Sequence, residues 1–105
     1  MSMSDAALVD LCTGFRDGIL QGRPSTRMCA VICYPLAGYL SFLGVEVAVE
    51  HGDPVRHCNH VWLSLPDGRV LDPTADQFDA TLPPVYLGAK LPMHRQKRRR
   101  AVPTP

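Results

Sequence analysis

The spacing of apolar residues predicts two helices in the first half of the chain. The first runs from about Asp5 to Gln21 behind a Ser4 cap. Its apolar residues fall on one stripe: Leu8, Leu11, Cys12, Phe15 and Ile19. The second runs from about Arg27 to Leu43 and ends at Gly44. Its shared apolar face contains Cys29, Cys33, Leu36, Leu40 and Leu43. Because Pro35 lies inside this helix, we expect a kink or a later helix start.

Alternation of apolar and polar residues predicts short strands in the second half. Three valines, at positions 45, 47 and 49, indicate a strand with one exposed face. Residues 51–54 (His-Gly-Asp-Pro) predict a turn, and a hairpin follows from about His60 to Asp72. Beyond Phe78, the prolines at positions 83, 84 and 92 leave room only for a short extended segment. The pattern predicts an α+β fold, in which the helix that carries Cys29 packs on a short antiparallel sheet and follows an N-terminal helix.

The turn of the hairpin determines which side chains share a face. Proline suits the first position of a type I turn and glycine suits a left-handed third position, so Pro66-Asp67-Gly68 predicts a three-residue loop. This loop pairs Trp62 with Asp72 and places His60 on the same face as both. His60 and Asp72 are then diagonal neighbours, roughly 7–8 Å apart at the backbone. A two-residue turn would instead direct Asp72 to the opposite face.

Composition and charge divide the chain unequally. With 105 residues there is room for one domain, which we assign to residues 1–93. Residues 94–105 form a basic tail that we expect to be disordered. Because the tail holds five of the eleven Lys and Arg residues, the remainder has six basic and ten acidic residues. An acidic body argues against nucleic acid as the main partner, apart from weak contact by the tail.

Several absences indicate a cytoplasmic protein. No apolar stretch approaches the roughly 18 residues needed to span a bilayer, and the N-terminus lacks the features of a signal peptide. In a reducing compartment the four cysteines are expected to be thiols: Cys12, Cys29, Cys33 and Cys58.

Three residues could together perform thiol chemistry. Cys29 lies in the first turn of the second helix, where unsatisfied backbone N–H groups and the helix dipole favour a thiolate. An imidazole within hydrogen-bond distance, such as His60, can take the thiol proton, and a carboxylate such as Asp72 can orient the imidazole. Trp62 flanks the expected cleft and is a candidate for its wall.

These residues lie in segments that resemble a known family. The segments are Cys29 with Leu36 and Leu40 on its helix, His60-Val61-Trp62, and Asp67 to Phe78 with its "LDPTADQF" ending. They are similar to the transglutaminase-like branch of the papain-like cysteine proteases, in particular to small phage and bacterial proteins. The resemblance implies Cys29 as nucleophile, His60 as base and Asp72 as orienting group, with Gln21 as a donor to the oxyanion. It also implies acyl transfer or hydrolysis at a protein or peptide amide without a cofactor, as in a peptidase, amidase, deamidase or transglutaminase. The chain departs from the family pattern at Arg27-Met28 and Cys33.

Other functions stay open at this point. Cys29, Cys33, Cys58 and His60 offer ligands for a four-coordinate zinc, although their spacing does not match common zinc knuckles. A non-catalytic phage or bacterial adaptor or inhibitor could retain the same fold. The apolar face of the hairpin needs a cover, which the first helix, the C-terminal segment or a second subunit in a homodimer could supply. His51 and His57 are expected to be exposed loop histidines.

Overall fold

Two helices precede a four-stranded antiparallel sheet. The computed structural model describes residues 3–55 and 58–95. The elements are α1 (Asp5–Leu20), α2 (Cys29–Phe42), β1 (Ala48–Val55), β2 (Cys58–Ser64), β3 (Val70–Asp72), a short 3-10 helix (Ala75–Gln77) and β4 (Tyr86–Gly88). The strands lie in the order β1-β2-β3-β4. The predicted α+β class is confirmed, with the Cys29 helix packed on the sheet and the N-terminal helix before it.

Helix α1 has the predicted cap, and its buried face is rotated from the predicted one. The Ser4 hydroxyl accepts a hydrogen bond from the Ala7 N–H at 3.2 Å. The fully buried positions recur every four residues: Leu8, Cys12, Arg16 and Leu20. Predicted stripe residues such as Leu11 and Phe15 lie at the edge of this face and are half-buried. The buried face therefore includes an arginine, Arg16, which was not part of the predicted stripe.

Helix α2 begins at Cys29, two residues later than predicted. The chain cannot enter the helix earlier, because Arg27 has a left-handed φ of 62°. Pro35 remains inside the helix and on its exposed side. The carbonyl that loses its partner there belongs to Val31, which is itself 52% exposed, so water can satisfy it. Of the predicted apolar face, only Leu43 is exposed.

The core lies between the two helices and one face of the sheet. Val61, Leu63 and Leu71 project from this face. They pack against residues of α2 and α1: Ile32, Cys33, Leu36, Leu40, Leu8 and Cys12. The helices therefore supply the cover that the apolar face of the hairpin requires. His60 and Trp62 alternate with these residues along β2, so they lie on the opposite face.

The hairpin between β2 and β3 has the predicted register. Leu63 pairs with Leu71, and the Leu65 N–H donates to the Arg69 carbonyl at 2.9 Å. Gly68 has a φ of 91°, which closes the three-residue loop as expected. Because β3 is short, its pairing with β2 involves only Leu63 and Ser64. The backbone of Val61 lies beyond this pairing.

The turn predicted at residues 51–54 is wrong, because β1 continues through it. Gly52 pairs with His60, and the register of the two strands shifts between Gly52 and Val55. Gly52 does not form a turn; because it has no side chain, it allows the backbone of Arg95 to approach β1 closely. A Cβ at this position would overlap the carbonyl oxygen of Arg95 and would also crowd the Trp62 ring.

The end of the described chain returns across the sheet. The predicted extended segment is β4, which pairs with β3 through Tyr86 and Asp72. Residues 89–95, called the C-terminal segment below, follow it and carry His94, which is only 4% exposed. His94, which the predicted boundary at residue 93 assigns to the tail, is buried and contacts Asp72. The rest of the predicted tail, residues 96–105, lies outside the described residues. Neither described helix is both long and apolar enough to cross a membrane.

Candidate active site

A buried imidazole and a buried carboxylate meet at the end of the hairpin. His60 Nε2 lies 2.6 Å from Asp72 Oδ2, and neither side chain is exposed. The hairpin register, in which Leu63 pairs with Leu71, places both residues on one face, as the turn chemistry predicts. With Nε2 directed at the carboxylate, Nδ1 is left for a second partner.

The imidazole of His60 also hydrogen-bonds with the thiol of Cys29. Burial alone would raise the pKa of this thiol, but hydrogen bonds with the His60 ring and with the backbone N–H groups of Val61 and Ala30 lower it. Burial would likewise lower the pKa of His60, but hydrogen bonds with Asp72 and Cys29 raise it to about 9. Both shifts favour the thiolate–imidazolium pair over the neutral thiol and imidazole.

On its β3 side, β2 is unpaired at Val61, and this explains how α2 supplies the thiol. The Val61 backbone is free of β3, and two cysteines one helical turn apart bind it instead. Cys33 Sγ donates to the Val61 carbonyl at 3.4 Å, while the Val61 N–H stabilises the Cys29 thiolate. Burial raises the pKa of Cys33, which therefore stays a neutral donor. Cys33 fixes the helix against the strand, and Cys29 lies at the same edge with its charge stabilised.

Asp72 is held by four hydrogen bonds, two on each oxygen. Oδ1 accepts from the Thr74 N–H at 2.9 Å and lies 3.5 Å from the Thr74 hydroxyl. Oδ2 accepts from His60 and also from His94 Nε2, which lies 2.7 Å away. Burial would raise the pKa of Asp72, but the hydrogen bonds with both histidines lower it. The carboxylate therefore stays ionised although it is buried.

Two contact residues of the site, His94 and Gln77, were not predicted. Gln77 Nε2 lies 3.4 Å from His60 Nδ1 and donates to the Thr74 hydroxyl at 3.0 Å. Its Oε1 accepts from the Arg27 N–H at 3.1 Å, just before α2 begins. The carboxamide thus bridges the start of the cysteine helix and the loop after β3. Its place in the "LDPTADQF" segment was the only signal in the sequence.

Two of the predicted site residues lie elsewhere than expected. Gln21 is the exposed C-cap of α1 with a left-handed φ of 51°, and its N–H bonds to the Asp17 carbonyl. Among the described contacts, nothing joins its side chain to Cys29 or His60, so the geometry gives no support to an oxyanion role. Trp62 is fully buried beneath the imidazole, with ring centroids 5.6 Å apart. Trp62 therefore packs against the His60 ring and is not an exposed wall of the cleft.

Three side chains come close enough to hold a metal ion among the residues described. They are His60, Asp72 and His94, whose ligand atoms lie within 4.8 Å of one another. However, His94 Nδ1 accepts a hydrogen bond from the Leu91 N–H at 3.0 Å, so the ring proton must be on Nε2. That nitrogen faces Asp72 as a donor and has no lone pair for a metal. The donor set fits a hydrogen-bonded cluster rather than a metal centre.

The zinc alternative meets a related difficulty. It requires thiolate ligands, yet Cys33 is a buried thiol that already donates to Val61, and its pKa is raised. The Cys58 and His57 side chains lie outside the part of the structure that is described. His51, predicted as an exposed loop histidine, is exposed but lies on β1 and hydrogen-bonds with Tyr34.

An ion pair from α1 anchors the loops around the site. Arg16 binds both carboxylate oxygens of Asp76 at 2.9 and 2.7 Å. It also donates to the carbonyls of Pro73 and Pro84, and its side chain is only 9% exposed. Asp76 in turn accepts from the Ser25 hydroxyl at 2.7 Å, close to the start of α2. One guanidinium therefore fixes the loop after Asp72 relative to the loop before Cys29.

Two surface grooves lie away from these residues. One of about 320 Å³ is lined by residues such as Leu8, Leu43 and Arg69, and another of about 580 Å³ by Val9, Pro83 and others. Neither includes Cys29, His60 or Asp72.

Comparisons of the chain with protein-family models, with curated proteins and with solved structures found no match.

Proposed function

We propose that this protein is a cysteine-dependent enzyme that transfers or hydrolyses an acyl group at a protein or peptide amide. Cys29 is the nucleophile, His60 the acid and base, and Asp72 the group that orients the imidazole. The observation that carries the proposal is the position of His60, which hydrogen-bonds with the Cys29 thiol and with the buried Asp72 carboxylate.

The proposed chemistry follows from the charges of the Cys29 thiolate and the His60 imidazolium. The Cys29 sulfur attacks the carbonyl carbon of the amide, and His60 gives its proton to the nitrogen as the carbon–nitrogen bond breaks. A thioester forms on Cys29 and an amine leaves. Water, deprotonated by His60, then releases an acid, or an acceptor amine forms a new amide. Backbone N–H groups in the first turn of α2, where the helix dipole is positive, favour the oxyanion formed in each step.

We also propose that the activity operates in the cytoplasm, where thiols stay reduced. Cys12, Cys29 and Cys33 are free thiols, which agrees with such a compartment. We also propose that the protein is related to the phage and bacterial transglutaminase-like proteins that its sequence resembles.

Acylation of Cys29 by a simple activated ester tests the proposal. With p-nitrophenyl acetate, the wild-type protein should release p-nitrophenolate in a burst equal to the amount of enzyme, and intact mass should show one acetyl group. Peptide mapping should locate this group on Cys29. Cys29→Ala should show neither, whereas Cys33→Ala, which removes the neighbouring buried thiol, should keep both if it folds. Acetylation spread over lysines, or equal in Cys29→Ala, would refute the nucleophile.

A second candidate is a binding protein that uses the exposed face of α2. Cys29 is only 8% exposed, and α2 has no charged residue. Five large apolar side chains in and just after this helix are exposed: Val31, Tyr34, Tyr39, Phe42 and Leu43. Since the face is uncharged, a second copy of the chain could meet it without repulsion. Sedimentation velocity should then show a dimer that Phe42→Asp dissociates; a wild-type monomer would end this candidate.

A further inference from the structure

We propose that His94 is a positioning residue of the candidate active site, which holds the Asp72 carboxylate and limits how strongly that carboxylate stabilises the His60 imidazolium. This inference rests on the proposed function and adds a fourth residue to the site. His94 acts through Asp72, since it contacts the carboxylate at 2.7 Å and its ring centroid is 6.0 Å from that of His60.

The hydrogen bonds of His94 fix which ring nitrogen carries the proton. The Leu91 N–H points at Nδ1 from 3.0 Å, so Nδ1 must offer a lone pair. Nε2 therefore carries the proton and donates it to Asp72 Oδ2. A tight turn of the C-terminal segment thus selects the tautomer, because Leu91 and His94 are only three residues apart. The ring is also held between Trp62 and Tyr86, with centroids 5.2 and 6.0 Å away.

His94 shares a single carboxylate oxygen with His60. Because Thr74 occupies Oδ1, the carboxylate cannot rotate to offer His60 a free oxygen. The His94 N–H on Oδ2 withdraws part of the negative charge that would otherwise stabilise the His60 imidazolium. The positive end of this N–H dipole also points toward Oδ2, where it opposes a second positive charge. His94 therefore fixes the direction of the carboxylate and keeps the pKa of His60 from rising further.

The titratable groups around this oxygen come from every element packed against it. They are Cys29 and Cys33 from α2, His60 from β2, Tyr86 from β4, and His94 itself. Of these, His60 and His94 touch Asp72 Oδ2, so removal of the His94 donor should be felt mainly by His60.

The test uses the pH dependence of Cys29 alkylation by iodoacetamide in the full-length protein. The upper inflection of the rate reports loss of the His60 proton and is expected near pH 9 in the wild type. His94→Met fills the space without a donor and should raise this inflection by about one unit, part of what a hydrogen bond to a charged group is worth. His94→Gln restores an N–H at the Nε2 position and should return the inflection to the wild-type value. His94→Asn reaches only the Nδ1 position and should behave like His94→Met.

The comparison of Gln with Asn keeps the test decisive even if His94→Met fails to fold. A merely structural role would lower stability without moving the inflection. An unchanged inflection in both His94→Met and His94→Asn, or equal shifts in His94→Asn and His94→Gln, would overturn the proposal. Nitrogen-15 NMR of the imidazole rings gives an independent answer: a proton on Nε2 of His94 supports it, and a proton on Nδ1 overturns it. Failure of the proposed function would appear separately, as absence of ester acylation at Cys29.

Discussion

Replacing His60 by glutamine should remove the side-chain hydrogen bond that lowers the pKa of Cys29. In the wild type the imidazole outweighs the effect of burial on the thiol and lowers its pKa. Without it, burial is opposed only by two backbone hydrogen bonds, so the pKa should rise to the ordinary value of about 8.5 or above. Such a thiol is about 3% ionised at pH 7, so the loss of His60 can lower the thiolate fraction by at most about 30-fold. The greater nucleophilicity of a more basic thiolate returns a few-fold, which limits the decrease in rate to roughly ten-fold.

The assay is the rate of iodoacetamide alkylation between pH 5 and pH 10, with peptide mapping to assign the adduct to Cys29. Wild-type alkylation should fall only as the pH drops through the lowered pKa, whereas His60→Gln should already be slow at pH 7 and recover above about pH 9. His51→Gln is the matched control, since His51 is exposed and bonds with Tyr34. Circular dichroism should show the same fold in all three proteins. Superimposable profiles for the wild type and His60→Gln would refute the activation of Cys29 by His60.

Two further predictions concern contacts that hold the site in place. Arg16→Met leaves the partly buried Asp76 carboxylate without its cation and should lower the free energy of unfolding by about 3 kcal/mol in urea titrations. The exposed Arg23→Met should cost about 0.5 kcal/mol, and equal losses would contradict the anchoring role of Arg16. Gly52→Ala forces the C-terminal segment off β1 and should cost about 1–3 kcal/mol. Hydrogen exchange in that segment should accelerate, and unchanged exchange would contradict the close approach.

Local chemistry made the fold and half of the site predictable. The proline and glycine of the hairpin loop specify three residues, and that number alone brings Asp72 to the same face as His60. The four-residue spacing of Cys29 and Cys33 likewise specifies their common face on α2. In both cases the relevant neighbours are close in sequence, so turn and helix periodicity determine the geometry.

The other half depends on how distant segments pack. His94 lies 22 residues from Asp72 and next to a run of basic residues, where no periodicity indicates burial. Its position follows from the passage of the C-terminal segment over Gly52, which the sequence suggested was part of a turn. Arg16 is similar: an arginine on a helix is ordinarily exposed, and only the loops around Asp76 reveal why it is buried.

The order of the site residues along the chain has a consequence during synthesis. A ribosome releases Cys29 first, and His60, Asp72 and finally His94 follow. Until His60 and Asp72 have emerged and their strands have paired, the nascent polypeptide carries an ordinary, mostly protonated thiol. On the proposed function, Cys29 therefore becomes reactive only after these strands have formed, so that a newly made chain is protected from premature attack on itself or on neighbouring proteins.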